Sequence, residues 1–262
     1  IDNFVLKLRQ SGLGCNIGDI FLGCILYADD MLLLSHSFCD LQKMLDICVA
    51  EATDIDMCFN VKKSFFLRCG PRYKATCSDL FIKDVAISRV DSMKYLGIVF
   101  NAGLELKCNF DHVKLKFYRA FNALYAKCSS LQFELTSVYL MQAFCIPILT
   151  YGIEAVILSN STIKMLDSVI DNAVKKIFKV LKADSILAIR KSVGLHSIES
   201  IFYQSMCKFL MKFQVKPLAF AELLASTQLS YLKSVCNKFY LRFDGTIMCT
   251  LRDILHNVVM RL

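Results

Sequence analysis

Two adjacent aspartates between two short apolar runs constrain the fold of this sequence more than any other feature. The runs Phe21–Leu26 and Met31–Leu34 have the length and composition of β-strands, and the segment between them ends in Asp29 and Asp30. A turn that only reverses the chain prefers Asn-Gly or Asp-Gly, where a positive φ costs little. Two neighbouring ionised carboxylates repel each other unless a cation binds there. The pattern therefore predicts two strands joined by a turn that holds Mg²⁺ or Mn²⁺ through Asp29 and Asp30.

The alternative is an exposed surface turn whose acidic side chains have no role. For an isolated Asp-Asp pair this alternative is the better explanation, because charged side chains are common in surface turns. The motifs that accompany the pair decide between the two interpretations.

The charge distribution fits a protein that holds cations in one place and a polyanion beside it. Residues 1–61 carry three Lys and Arg against nine Asp and Glu, whereas residues 62–128 carry 13 against five, within a net charge of +8. An acidic segment followed by a basic one is compatible with nucleic-acid binding, although a charge run is more often a solvated face.

The cysteines argue against a secreted disulfide scaffold and against a zinc site. The 13 cysteines occur singly with no Cys-x-x-Cys pair, and residues 1–20 show no basic segment followed by an apolar core. We therefore expect buried free thiols in an intracellular protein, cytoplasmic or nuclear.

A change of hydrophobic period near residue 106 divides the chain. Before it, short apolar runs predict strands, and one helix is predicted to begin after Ser37, with Asp40 completing a capping box. The strands are predicted at Phe21–Leu26, Met31–Leu34, Ser64–Cys69, Leu80–Ile82, Val85–Ile87 and Tyr95–Phe100. The helix is expected to carry on one side Leu41, Met44, Leu45, Cys48, Ala52 and Ile55.

After residue 106 a helical period dominates, and two apolar stripes are flanked by basic residues. The first stripe is formed by Phe110, Val113, Phe117, Phe121, Leu124 and Cys128. The second is formed by Ile163, Leu166, Ile170, Ala173, Val174, Ile177 and Leu181. Lys114 and Arg119 lie largely off the first stripe, where they suit either phosphate contacts or an ordinary solvated face.

A third apolar stretch, residues 135–153, contains no charged side chain. Polar residues, Pro147 and Gly152 interrupt it, and no cluster of positive charge flanks it. We therefore predict a helix buried on most sides that ends near Pro147, and no membrane partner.

Three motifs in order resemble the reverse transcriptases of non-long-terminal-repeat retrotransposons. Tyr-Ala-Asp-Asp at 27–30 is similar to the catalytic motif C of that family, Asn-Val-Lys-Lys-Ser at 60–64 to motif D, and Lys-Tyr-Leu-Gly at 94–97 to motif E. Further elements, among them Pro-Ile-Leu-Thr-Tyr-Gly at 147–152, extend the resemblance by pattern over nearly residues 1–200. The first hundred residues carry the specific motifs.

The resemblance implies an α+β fold, with a partial polymerase palm made of an antiparallel sheet and packed helices. We expect the palm at 1–106, an α-helical thumb at 107–185 and a helical C-terminal region of unknown role at 186–262. The implied activity is RNA-directed DNA synthesis from an RNA template, a DNA primer and deoxynucleoside triphosphates.

The resemblance also implies roles for individual residues. Asp29 and Asp30 would bind the catalytic Mg²⁺ or Mn²⁺ ions, and Lys63 would act near the triphosphate as general acid. Residues expected to contact nucleic acid are Tyr27, Lys94, Tyr95, Leu96, Gly97, Lys114 and Arg119.

The sequence departs from the family in one important respect. The motif A aspartate, the fingers and motif B have no counterpart in residues 1–262, so we expect a fragment that lacks the N-terminal polymerase portion. The alternative is a non-catalytic nucleic-acid-binding remnant, which needs no metal. Binding to a primer–template that survives chelation and Asp29→Ala would favour this alternative.

We predict that the chain of residues 1–262 does not extend a primer with Mg²⁺ or Mn²⁺ and all four nucleotides. Transfer with two metal ions needs carboxylates on separate strands that hold the ions about 3.5–4 Å apart, and Asp29 and Asp30 share one turn. A primer-extension assay with Asp29→Ala as control measures this. Extension that disappears in the variant would contradict the prediction.

Overall fold

The computed structural model describes residues 2–128, 133–156, 158–180 and 183–214, and it shows a mixed α+β fold. The chain divides into two compact units, Ile1–Cys108 and Asn109–Leu262. Part of the region predicted as a C-terminal domain, residues 215–262, lies outside the described residues.

The first unit contains two helices and ten short strands. The helices are α1 (Asp2–Gln10) and α2 (Phe38–Asp54). The strands are β1 (Asn16–Ile17), β2 (Ile20–Phe21), β3 (Cys24–Tyr27), β4 (Asp30–Leu33), β5 (Phe65–Phe66), β6 (Leu80–Ile82), β7 (Val85–Arg89), β8 (Ser92–Tyr95), β9 (Ile98–Asn101) and β10 (Lys107–Asn109).

Helix α2 confirms the predicted capping signal. Ser37 has an extended backbone, and its side chain accepts a hydrogen bond of 3.0 Å from the Asp40 backbone N–H. This bond satisfies one of the N–H groups that the first helical turn leaves unpaired.

The apolar residues of α2 form two faces, so the predicted single side is wrong. Met44, Cys48 and Ala52 are buried in one core cluster with residues of α1 and β3. The other face packs on a second cluster around β6 and β7, and contributes Phe38, Leu41, Leu45 and Val49. Ile55 follows the helix and is 48% exposed. Apolar residues at both i+3 and i+4 spacing form a broad stripe on a helix, so the helix can pack against neighbours on two sides.

Polar contacts link α2 to α1 on one face and to β6 on the other. The Lys7 ammonium of α1 donates to the carboxylate of Glu51, which is buried. This hydrogen bond raises the pKa of Lys7. On the opposite face, the Gln42 amide exchanges hydrogen bonds of 2.9 and 2.8 Å with the backbone O and N–H of Phe81 in β6. The edge of that strand is thereby paired within the unit.

The strands form four small sheets where one antiparallel sheet is predicted. Two are the hairpins β1–β2 and β3–β4, and two have the orders β5-β7-β6 and β10-β9-β8. Strands β5 and β7 run parallel. The predicted strand Tyr95–Phe100 is instead the tip of a hairpin, because Tyr95 pairs with Ile98 and the chain reverses at Leu96 and Gly97.

The second unit is helical in its described part, apart from the last residue of β10. Its α-helices are α3 (Asp111–Cys128), α4 (Glu134–Leu140), α5 (Ile146–Leu149), α6 (Asn160–Phe178), α7 (Ala183–Ser192) and α8 (Ile198–Gln214). Both predicted stripes are confirmed, since α3 buries Val113, Phe117 and Phe121, and α6 buries every stripe residue from Ile163 to Ile177. Leu181 lies outside the described residues.

A buried arginine joins α6, α7 and the start of α8. Arg190 donates hydrogen bonds of 2.7 Å to Asp171 and 3.0 Å to Asp167, and a third of 2.8 Å to the His196 carbonyl. Asp167 also accepts from the Ile198 backbone N–H at 3.0 Å. Each charge therefore has a partner, as a buried ion pair requires.

The prediction for residues 135–153 is confirmed for the end of the helix and wrong for its burial. The helix ends at Leu149, close to Pro147, and a π-helical turn at Met141–Cys145 puts the proline in the first turn of α5. The helix is not buried on most sides, since Leu135 and Tyr139 are each 69% exposed and Phe144 is 65% exposed. By length and composition alone, Glu134–Ala155 is a candidate membrane span, with 33% of its apolar window buried.

All cysteines in the described residues are free thiols. Burial raises the pKa of Cys48 to about 12, and the charges of Cys24 and Glu51 act in the same direction. Cys39, Cys58 and Cys69 are exposed, so the expectation that the thiols are buried holds for only some of them.

We predict that Met44→Ala destabilises the first unit by about 2–5 kcal/mol, because the Met44 side chain is fully buried and the change leaves a cavity beside α1 and β3. Urea unfolding with hydrogen exchange of the α2 amides measures the change.

Lys43→Ala is the matched control on the same helix. The Lys43 side chain is 66% exposed, and its contact with Asp40 is 4.0 Å long, so the expected change is within about 0.5 kcal/mol. Equal losses in the two variants would contradict the assigned packing.

Candidate functional site: the acidic hairpin

The acidic turn joins β3 and β4 through a two-residue loop. Tyr27 pairs with Asp30, which leaves Ala28 and Asp29 to reverse the chain. Ala28 has a φ of 53°, a conformation that costs a residue with a Cβ roughly 1–2 kcal/mol. Glycine is the ordinary residue at such a position, so the turn holds its two carboxylates on a strained backbone.

The hairpin has one face on the core and one open face. Cys24, Leu26, Met31 and Leu33 face the cluster beside α2. The alternate positions face outward, and there Tyr27 is 62% exposed next to Asp30 on the paired strand. Asp29 and Asp30 are exposed, and in the described part of the chain neither carboxylate takes part in an ion pair or a side-chain hydrogen bond. Their oxygens are available to a ligand.

Two glycines, Gly14 and Gly23, allow close packing at the end of this hairpin away from the acidic turn. They were not identified in the sequence analysis. A Cβ on Gly14 would lie 2.9 Å from the Cα of Gly23 and 3.2 Å from the carbonyl oxygen of Leu34. The Leu34 N–H in turn donates to the Gly23 carbonyl at 2.8 Å. Glycine at position 14 therefore lets the loop before β1 lie directly against the hairpin.

The Lys-Tyr-Leu-Gly motif forms the tip of a second hairpin, β8–β9. Leu96 has a φ of 45° and Gly97 a φ of 85°, and positive values at both loop positions are typical of a type I′ turn. Leu96 is therefore the third non-glycine residue with a positive φ in a two-residue hairpin turn, after Ala28 and Lys83. Its side chain is 37% exposed.

Tyr95 lies at the end of β8, next to the turn of the second hairpin. Its hydroxyl is buried and has no hydrogen-bond partner among the described residues. Burial raises the pKa of Tyr95, and the negative charges of Asp30 and then of Cys24 act in the same direction.

The two lysines predicted for this region remain at the surface. Lys63 ends a single 3₁₀ turn, Val61–Lys63, and is exposed. No ion pair within 4.0 Å links Lys63 to Asp29 or Asp30 in the described structure. Lys94 is exposed on β8, opposite Val99.

The basic residues of the second unit differ in their freedom to bind phosphate. Lys114 forms an ion pair of 3.1 Å with Asp111, whereas Arg119 is exposed. Lys176 donates to Asn122 at 2.8 Å and lies 5.1 Å from the ring centroid of Tyr125. Lys176 therefore links α6 to α3. Of the three basic residues it is the least available to bind phosphate.

The acidic turn has few side chains that could bind a metal ion. Within residues 2–128, 133–156, 158–180 and 183–214, no three His, Cys, Asp or Glu residues group as a metal site would require. Asp29 and Asp30 by themselves supply hard oxygen atoms from one turn, which suits a hard cation that keeps water or phosphate oxygens as its other ligands.

Comparison with known proteins gives one informative similarity. No family model matches the sequence. Over 113 residues the chain is 26% identical to the retrovirus-related Pol polyprotein from type-2 retrotransposable element R2DM of Drosophila melanogaster. The match covers 40% of this chain and 11% of that polyprotein. This similarity indicates a retrotransposon-related origin.

We predict that Asp30→Asn lowers the pKa of Tyr95, because it removes the neighbouring negative charge that disfavours the phenolate. The pKa should stay above the ordinary value for tyrosine, since burial is the larger cause. Nuclear magnetic resonance of ¹³C-labelled tyrosine as a function of pH measures it, with Tyr95→Phe to assign the signal.

Asp29→Asn is the matched control for this measurement. The charge of Asp29 is not among those that raise the pKa of Tyr95, so this variant should leave the value in place. A lower pKa in Asp29→Asn and none in Asp30→Asn would show that the neighbours are wrongly assigned.

Proposed function

We propose that the first unit is part of the palm of an RNA-directed DNA polymerase, with Asp29 and Asp30 as ligands of Mg²⁺ or Mn²⁺. The observation that carries the proposal is the turn between β3 and β4, where two exposed carboxylates without an ion-pair partner follow a residue with a positive φ. The similarity to a retrotransposon Pol polyprotein supports the same assignment.

Asp29 and Asp30 would supply part of the ligand set of a divalent cation, with water or phosphate oxygens as its other ligands. Without a cation, the two exposed carboxylates have no opposite charge paired with them. When bound there, the ions of such enzymes lower the pKa of the attacking hydroxyl and neutralise the triphosphate.

The roles of the other residues follow from their positions. Lys63 is exposed with its ammonium unpaired by Asp29 or Asp30, as a residue that neutralises or protonates a leaving pyrophosphate must be. Leu96 and Gly97 form the tight turn of a two-stranded hairpin, and the Leu96 side chain is 37% exposed. An exposed hairpin tip suits an element that holds the end of a DNA primer.

Contacts to the RNA template and the DNA primer are proposed for exposed aromatic and basic residues. Tyr27 offers a ring that is 62% exposed on the open face of the acidic hairpin, and such a ring can stack on a base. Lys94 and, in the second unit, Lys114 and Arg119 offer positive charge for phosphates. The helices of residues 107–185 would serve as a thumb.

Because the chain covers 11% of the polyprotein that it matches, the activity of a complete polymerase is itself part of the proposal. Asp29 and Asp30 would need a carboxylate from a further strand to hold two ions. The test must therefore detect the metal site without requiring synthesis.

We predict that Fe²⁺ in place of Mg²⁺, with hydrogen peroxide as oxidant and ascorbate to regenerate Fe²⁺, cleaves the polypeptide at two places. Radicals formed at bound iron cut the nearest backbone, so mass spectrometry should find breaks at 27–31 and at 94–97. Excess Mg²⁺ should suppress both sets of breaks because the two cations share oxygen ligands.

Asp29→Ala should abolish both sets of breaks. Asp19→Ala is the matched control, since Asp19 is an exposed aspartate in the turn of another hairpin, β1–β2, and it should leave the pattern unchanged. Breaks that persist in Asp29→Ala, or that occur only elsewhere in the chain, would refute the metal site.

A further inference from the structure

Two arginines of the first unit converge on one backbone carbonyl. The Arg68 guanidinium donates a hydrogen bond of 3.3 Å to the Ala75 carbonyl oxygen, and the Arg89 guanidinium donates one of 2.8 Å to the same oxygen. Because both bonds end on one atom, the two donor nitrogens lie no farther apart than the sum of these distances. Arg89 also donates to the Tyr73 carbonyl. Two positive charges are therefore held side by side.

The parallel pairing of β5 with β7 explains why these side chains meet. Phe66 of β5 is paired with Arg89, the last residue of β7, and the Val90 N–H donates to the Phe66 carbonyl at 2.9 Å. Since the strands run parallel, their carboxyl ends lie at the same edge of the sheet. Arg68 follows β5 by two residues, so it leaves the sheet beside Arg89.

The two charges are not compensated by a carboxylate in the described residues. The acidic residues nearest to the two arginines in the sequence are Asp79 and Asp91. Neither arginine forms an ion pair with these or any other acidic residue that the structure describes. Residues 62–78 contain five Lys and Arg and no Asp or Glu. Because Arg68 and Arg89 are half-buried, water screens their mutual repulsion less than it would at an exposed position.

Most N–H groups of the two guanidiniums remain available to a ligand. A guanidinium has five N–H donors. Within the described structure Arg68 donates one hydrogen bond and Arg89 donates two, all of them to backbone carbonyl groups. Support of the loop alone is the alternative, since a carbonyl oxygen has two lone pairs. That alternative leaves the adjacent charges and the unused donors without a role.

We propose that Arg68 and Arg89 form an anion site that binds a phosphate group, carried either by a nucleic-acid backbone or by free phosphate. A phosphate has several acceptor oxygens, so one group can bridge both guanidiniums while its negative charge offsets their repulsion. Arg72 and Lys74 are exposed on the same loop and add positive charge around the site. The site needs no cation, so it holds whether or not the acidic turn binds metal.

Modification of arginines by phenylglyoxal tests the site on the whole 262-residue chain, with EDTA present to remove divalent cations. Inorganic phosphate is compared with chloride at equal ionic strength, and mass spectrometry gives the rate at each arginine. Phosphate at about ten times its Kd should slow modification of Arg68 and Arg89 about tenfold, since only the unoccupied site reacts. Both should be half protected at the same concentration, because one group occupies both.

Arg9 is the internal control for this experiment. It is an exposed arginine of α1 and forms no ion pair with a residue that the structure describes, so phosphate should leave its rate unchanged. Equal protection of Arg9, Arg68 and Arg89 would overturn the inference, because phosphate would then act without a specific site. Unchanged rates at Arg68 and Arg89 would overturn it as well.

A second arm replaces phosphate with a single-stranded DNA oligonucleotide and so distinguishes the two sources. Protection of Arg68 and Arg89 at oligonucleotide concentrations far below those needed for inorganic phosphate would assign the site to a nucleic-acid backbone. Protection by inorganic phosphate and not by the oligonucleotide would assign it to a small phosphate compound. Neither outcome depends on Asp29 or Asp30, so failure of the metal site and failure of this site are distinguishable.

Substitutions separate one shared site from two independent contacts. In Arg68→Gln, the phosphate concentration that half protects Arg89 should rise about tenfold, as expected for the loss of one charge-assisted hydrogen bond. Arg9→Gln, which also removes one positive charge, should leave that concentration unchanged. Undiminished protection of Arg89 in Arg68→Gln would contradict the shared site. If Arg68→Gln fails to fold, the protection pattern of the unsubstituted chain still decides the question.

Discussion

The packing of α2 between two apolar clusters is the constraint on which the first unit depends. One face of the helix, with Met44 and Cys48, supports the acidic hairpin, and the other covers β6 and β7. A two-stranded hairpin is at best marginally stable by itself. The hairpin that carries Asp29 and Asp30 is therefore held by its core face on α2 and α1, which frees its outer face and its turn for binding.

Much of this arrangement follows from local sequence signals. Ser37 and Asp40 specify where α2 begins, and apolar spacing specifies α3 and α6, because caps and periodicity are properties of neighbouring residues. The turn at Leu96 could not be found in this way, since leucine rarely adopts a positive φ and, apart from Gly97, the residues from Tyr95 to Phe100 are apolar. The predicted strand Tyr95–Phe100 was wrong for the same reason, because it contains this turn.

The pattern of apolar and polar residues did not predict contacts between residues far apart in the sequence. Only the resemblance to a known family bore on such contacts. Periodicity gives no reason for Gly14 to lie against Gly23. The stretch 135–153 shows the opposite error, because apolar composition predicts burial whereas the π-helical turn changes which side chains face the core. Composition gives the amount of apolar surface, whereas the backbone conformation determines which apolar side chains face the core.

The costs at the two hairpins argue for a function at this place. Positive φ at Ala28 and at Leu96 costs roughly 1–2 kcal/mol each, and the unpaired Tyr95 hydroxyl adds roughly 1–3 kcal/mol. A small unit has only about 5–15 kcal/mol of net stability. Glycine at positions 28 and 96 and phenylalanine at position 95 would remove these costs without disturbing the core. Strain persists where a site needs a fixed geometry, and at Ala28 it adjoins two exposed carboxylates without an ion-pair partner, which is the charge that the proposed cation would neutralise.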